Sequence, residues 1–145
     1  MKKKCLFLGY NAKETKLIRI ISEKGYVVHQ FNKKITLKKL NKYSFIISYG
    51  YRHLISQNII KKLKKPIINL HISYLPYNRG SNPNFWSFIE NTPSGVSIHE
   101  IDFGIDTGPI IFQKLIDFDL IKNKKKLTFN STYKILKKEV ENLFI

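Results

Sequence analysis

The chain is poor in several features that mark large protein classes, and each shortage excludes something. Cys5 is the only cysteine among 145 residues, so no disulfide can form within the chain and a disulfide-stapled secreted scaffold is excluded. No run approaches the roughly 18 apolar residues of a membrane-spanning helix. Met1-Lys2-Lys3-Lys4-Cys5-Leu6-Phe7-Leu8-Gly9 starts basic and turns apolar, but its apolar part is too short for a signal-peptide h-region, and Asn11 and Lys13 follow closely. It reads as a first strand, with Cys5 a buried, inert thiol in a reducing cytoplasm. Acidic residues number 10 against 26 lysines and arginines, a formal net charge of +16. Arginine is itself scarce: Arg19, Arg52 and Arg79 are the only ones. Nucleic-acid sites recruit arginine for bidentate contacts. A surplus made of lysine, with abundant Asn and Ile that point to AT-rich coding, reads as a solvated surface, an anionic partner being the alternative. The four histidines lack the spacing of a zinc site, so no metal is expected. No repeat or long linker breaks the chain, and its length fits one domain over 1–145.

What is present is a regular alternation of apolar runs and helical patterns. Lys4 to Gly9 reads as a strand, and Lys13 to Lys24 as a helix with Gly25 as its stop. Tyr26 to Phe31 reads as a strand, residues 32–42 as irregular and basic, and Tyr43 to Tyr49 as a buried strand. Ser56 is a candidate cap for a helix carrying Ile59, Ile60 and Leu63 that stops before Pro66. A strand then runs to Asn69 and His71. Asn82 with Pro83 reads as a cap and first-turn pair opening a helix through Phe85, Trp86 and Ile89. Val96 to Ile101 and Pro109 to Phe118 read as strands, and Thr132 to Phe144 as a helix whose stripe of Tyr133, Leu136, Val140 and Leu143 meets the core or a second copy. Alternating strands and helices argue for an α/β fold with parallel crossover units.

The most informative segment is Ile68-Asn69-Leu70-His71-Ile72-Ser73-Tyr74-Leu75-Pro76, followed downstream by Gly104-Ile105-Asp106-Thr107-Gly108. Side chains alternate along a strand, so Asn69 and His71 share a face. An amide and an imidazole at the carboxyl end of a core strand stand where open α/β sheets place ligands. The pair reads either as a turn asparagine and a satisfied histidine or as donors for an oxygen gaining negative charge, with the Asp106 carboxylate able to keep His71 charged and accept a proton, a pattern suited to acyl transfer. Leu75-Pro76 is a candidate cis bond, and Gly108 a position that allows a backbone conformation a side chain would block. Asp102 reads as a loop carboxylate, His29 and His99 as structural, and His53 as either a ligand contact or a surface side chain.

Asn-x-His-x-Ser-x-Leu-Pro, then Arg79-Gly80, then Asp106-x-Gly108, resembles the folate-dependent formyltransferases. That family includes glycinamide ribonucleotide transformylase, methionyl-tRNA formyltransferase and the sugar N-formyltransferases. The ordered match runs from about Ser48 to Gln113, and Tyr74-Leu75-Pro76-Tyr77-Asn78-Arg79-Gly80-Ser81-Asn82-Pro83-Asn84-Phe85-Trp86 is worded most like the sugar-modifying branch. The resemblance implies a shortened Rossmann-like open sheet, mostly parallel, with helices on both faces. It implies Asn69, His71 and Asp106 as catalytic residues and 10-formyltetrahydrofolate as formyl donor. The folate would sit between Tyr51, Arg52, His53, Leu54 and Ile55 on one side and Ile101, Asp102, Gly104 and Ile105 on the other. Ser73, Tyr77, Arg79, Gly80, Asn84 and Trp86 become acceptor-binding candidates, with Ser73 also read as a turn residue and Phe85 and Trp86 also as core.

The expected acceptor is the amine of a nucleotide-linked amino sugar. Initiator methionyl-tRNA fits the basic charge, but little chain follows the last predicted helix, so the C-terminal barrel of the tRNA enzymes has no room. Gly9-Tyr10-Asn11-Ala12 is no glycine-rich phosphate loop, which counts against glycinamide ribonucleotide. A non-catalytic basic module on the same scaffold is the reading from a different class. A homodimer and a cytoplasmic location complete the expectations.

Overall fold

The computed structural model describes residues 2–38, 40–122 and 127–145. Six strands form one sheet in the order β2-β1-β3-β4-β5-β6. The strands are β1 Lys4–Gly9, β2 Val27–Phe31, β3 Phe45–Tyr49, β4 Ile67–His71, β5 Gly95–Glu100 and β6 Ile110–Leu115. β1 pairs in parallel with β2 and β3, and β3 with β4, while β5 pairs antiparallel with both β4 and β6. Five helices accompany them among the described residues: α1 Leu17–Glu23, α2 Gln57–Lys62, α3 Pro83–Ile89, α4 Phe118–Lys122 and α5 Phe129–Phe144. None is long and apolar enough to cross a membrane.

The period-2 geometry of the strands splits the apolar residues between two cores. Cys5, Phe7, Ile47 and Leu70 point to one face and pack with Leu17 and Ile21 of α1 and Leu136 and Val140 of α5. Leu6, Leu8, Ile46 and Ile67 point to the other and pack with Ile59 of α2 and with Ile35 and Leu40 from the β2–β3 connection. Helices therefore cover both faces, as expected. Burial pushes the Cys5 thiol up to about 12, so it stays protonated and unreactive at neutral pH. Leu136 and Val140, from the stripe read as meeting the core or a second copy, are buried within the chain.

Element boundaries depart from the sequence pattern where side chains capture backbone groups. The first helix begins at Leu17 and not Lys13, because Asn11 Oδ1 accepts the Lys13 N–H at 2.9 Å and Glu14 Oε2 accepts the Asn11 N–H at 2.9 Å. Its end is as expected, with Gly25 at φ +89° and its N–H bonded to the Ser22 carbonyl. The last helix begins at Phe129 and not Thr132, because Thr128 and Ser131 cap each other's backbone N–H groups. β6 ends at Leu115, and Phe118 opens α4, where Asp117 Oδ1 accepts the Asp119 N–H at 2.9 Å. Ser56 and Asn82 precede their helices, but neither side chain caps. Asn82 adopts a left-handed backbone, φ +53°, outside the extended region that capping uses.

The central weight that α5 carries is testable. Leu136 is 1% exposed, so Leu136→Ala should lower unfolding free energy in a urea titration by ~3 kcal/mol.

Candidate active site

Ile67, the first residue of β4, belongs to the α2-side core. Two and four residues on, the same face carries Asn69 and His71, and the row turns from apolar to polar. β5 lies antiparallel beside it with His99 opposite Asn69 and Ser97 opposite His71. The loop after β5 folds back over this face and delivers Asp106, whose own backbone is left-handed at φ +50°. That return needs Gly108: a Cβ there would lie 1.8 Å from the Glu100 carbonyl oxygen. The obstruction expected at Gly108 is thus a close backbone approach, and the unusual dihedral sits on the carboxylate residue itself.

The three residues expected to act together do converge. Asn69 Nδ2 donates to Asp106 Oδ1 at 3.2 Å, and His71 Nε2 faces Asp106 Oδ2 at 3.5 Å. The Gly80 N–H donates to Oδ2 at 2.8 Å, which gives Gly80 a part in building the site. His99, read from sequence as structural, corrects that reading. It is 1% exposed, its Nε2 stands 3.3 Å from Asp106 Oδ1 and 3.1 Å from Asn69 Nδ2, and its Nδ1 bonds the Glu100 carbonyl at 2.8 Å. A carbonyl only accepts, so Nδ1 carries the proton. Nε2 then has two states: bare, accepting from Asn69, or protonated, donating to Asp106. His99 was visible as a histidine inside an apolar strand shortly before an acidic loop, but its antiparallel pairing with Asn69 was not.

Electrostatics also refine the reading of His71. Burial holds its pKa below the ordinary 6.5, and His99, facing the same carboxylate, adds to the effect; Asp106 and the Asn78 carbonyl push the other way and lose. The free site therefore holds a neutral His71 at pH 7, not the imidazolium expected from the carboxylate alone. Asp106 feels burial too, which raises its pKa, but the bond from His99, the charge His71 takes on at the low pH where this carboxyl titrates, and the Gly80 N–H outweigh it and the net shift is downward.

The remaining candidates divide. Ser73 is 4% exposed, its hydroxyl donates to the Tyr77 carbonyl, and its carbonyl accepts from Ser97 Oγ at 2.7 Å, so it braces the turn that contains the cis Leu75-Pro76 bond. Asn84 is buried and donates to the Phe129 carbonyl at 3.2 Å and Thr132 Oγ1 at 3.1 Å. It ties α3 to α5 instead of facing an acceptor. Trp86 sets its ring edge-on to Phe85 in an aromatic group with Phe88, Phe118 and Phe129. The Tyr51 hydroxyl bonds Lys33 and Ile35 backbone, and His53 Nε2 donates to the Asn32 carbonyl at 3.1 Å, so both anchor the β2–β3 connection. Ile55 and Ile101 pack against the α2-side core. Asp102 Oδ1 accepts from the Gly104 N–H at 3.0 Å and Thr107 Oγ1 at 2.5 Å, which makes it the loop carboxylate expected. Leu54, Tyr77 and Ile105 are exposed apolar side chains, and Arg52 and Arg79 are exposed cations.

A Rossmann-like sheet carrying an amide, two imidazoles and a carboxylate on one face defines a scaffold equipped for acyl transfer. Residues 1–142 match the family model described as formyl transferase, and the chain belongs to that family. It is similar to the crystal structure of the formyltransferase PseJ from Anoxybacillus kamchatkensis in complex with UDP-4,6-dideoxy-4-formamido-L-AltNAc and tetrahydrofolate: TM-score 0.87, 43% identity, covering 97% of this chain and 72% of that one. A methionyl-tRNA formyltransferase of Thermodesulfovibrio yellowstonii is 37% identical over 94 residues, 63% of this chain and 30% of its own. A GDP-perosamine N-formyltransferase of Brucella melitensis is 41% identical over 75 residues, 51% of this chain and 29% of its own. The chain thus spans under a third of the length of these two curated relatives.

The lowered pKa of His71 makes stability pH-dependent with a definite sign. The unfolded chain takes up a proton near pH 6.5 and the folded chain only at lower pH, so stability falls as pH drops below 6.5. Asp106 acts in a separate window, below its ordinary 3.8. Thermal midpoints measured from pH 7 to 5 should therefore decline less for His71→Gln than for the wild type, and equal slopes would place the titration on another group.

Proposed function

We propose that this chain is a folate-dependent N-formyltransferase that moves the formyl group of 10-formyltetrahydrofolate to the primary amine of a nucleotide-linked amino sugar. The observation that carries the reading is the meeting of Asn69, His71 and Asp106 within 3.2–3.5 Å contacts on one sheet face. The sugar-nucleotide half is supported by the two relatives whose names contain amino-sugar products or substrates.

In this reaction a C–N bond forms between the acceptor amine and the formyl carbon, and the bond from that carbon to the folate nitrogen breaks. The amine loses one proton and the folate nitrogen gains one. The residues divide that work. Asn69 Nδ2 and His71 Nε2, which meet the two oxygens of Asp106, are N–H donors that can turn to an oxygen acquiring negative charge. Asp106, held ionised by its donors, accepts the proton released by the amine, directly or through water. Leu54, Phe103 and Ile105, exposed apolar side chains on the loops after β3 and β5, are the surface we assign to the donor molecule. A cytoplasmic setting suits the reduced thiol and the folate donor.

A second acceptor, initiator methionyl-tRNA, is favoured by the +16 charge and by the tRNA formyltransferase relative. The two separate by salt: affinity for tRNA should fall steeply as salt rises, and that for a small sugar nucleotide much less.

The deciding experiment is calorimetric titration of the purified chain with a non-hydrolysable formyl-folate analogue, followed by formylation assays over a panel of nucleotide-linked amino sugars. Folate binding and turnover of one sugar are expected, with Asp106→Asn cutting turnover by ~10²–10³ while the thermal midpoint stays close to wild type. No folate binding would end the proposal.

A further inference from the structure

The geometry points to Asn78 as a positioning residue: its side chain, gripped between Glu90 and Thr92, fixes its own backbone carbonyl against His71 Nε2 and keeps the ring proton on the nitrogen that faces Asp106.

Both neighbours of His71 Nε2 are acceptors, the Asp106 carboxylate at 3.5 Å and the Asn78 carbonyl at 3.4 Å, so that nitrogen must carry hydrogen. Asp106 alone cannot settle the matter, because it is shared with His99, Asn69 and Gly80. The Asn78 carbonyl has no such competitors among the described residues. It reaches His71 because Asn78 is left-handed, φ +53°, a conformation asparagine tolerates better than most residues.

Asn78 is also held from outside the site. Glu90 only accepts, so the amide nitrogen faces it, Nδ2 to Oε2 at 3.2 Å. The Thr92 hydroxyl then donates to Oδ1 at 2.7 Å. Both anchors lie at the far end of α3. Glu90 is its C-cap, Asn91 turns the chain at φ +49°, and the Thr92 N–H bonds the Ser87 carbonyl at 3.1 Å. α3 in turn is tied to α5 through Asn84. A helix end that touches no reacting atom thus sets the proton position of the imidazole, with Asp106 and the His99 ring the other groups facing His71.

The inference deepens the formyl-transfer reading, and its kinetic arm rests on that reading; its spectroscopic arm does not. Long-range ¹H–¹⁵N spectra of the ligand-free protein report the tautomer of each histidine. The wild type and Thr92→Ser should show His71 with hydrogen on Nε2. Thr92→Val, which keeps the shape and loses the hydroxyl, and Asn78→Ala should both shift His71 toward hydrogen on Nδ1. In turnover, Thr92→Val should lose between ~10- and ~100-fold in kcat with little change in KM. A wild-type His71 tautomer in both Thr92→Val and Asn78→Ala would overturn the proposal, whatever the rates. Absence of turnover in the wild type would fail the functional reading while leaving the tautomer result to decide this one.

Discussion

One half-buried carboxylate organises this molecule's working face. Asp106 draws an N–H from Gly80, an amide from Asn69 and the Nε2 atoms of two imidazoles, and these come from the turn after β4, from β4 itself and from β5. A buried charge is tolerated only when donors surround it. Three segments must therefore be in register before the residue can sit where it does. Its left-handed backbone and the absence of any side chain at Gly108 are the local conditions for the same placement. The two cores below, one on each face, supply the rigidity that keeps those segments in register.

The scarcity of acids acquires meaning in this light. Several of them accept from hydroxyls, backbone N–H groups or a side-chain amide. Glu141 takes the Thr15 hydroxyl at 2.7 Å, Glu14 the Asn11 N–H, Asp102 the Gly104 N–H and Glu90 the Asn78 amide. Contacts to basic side chains beyond the histidines include Arg19–Glu23 and Lys114–Glu139.

The strands and the two-faced layout were legible because buried parallel strands write themselves as apolar runs, and the shared face of Asn69 and His71 follows from a period of two. Asp106 was legible only through its family pattern, since nothing local links a carboxylate to an imidazole so far upstream. His99 was not legible, because cross-strand register between β4 and β5 is a tertiary fact. Ser73 and Asn84 show a different limit: small polar residues beside a motif look like ligand contacts, and here their bonds close a turn, one of the two readings Ser73 carried, and join two helices. The charge state of His71 also lay beyond the sequence, because it depends on how deeply the ring is buried and on a second imidazole beside the same carboxylate.

The sealed thiol of β1 has a practical corollary. Cys5 is fully enclosed and protonated at ordinary reaction pH. A cysteine introduced on the surface, for instance on the exposed loop after β5, would be the sole target of a maleimide dye. The native chain is in effect already a single-label background, and loop movement on ligand addition can be followed by fluorescence without first removing a residue from the core.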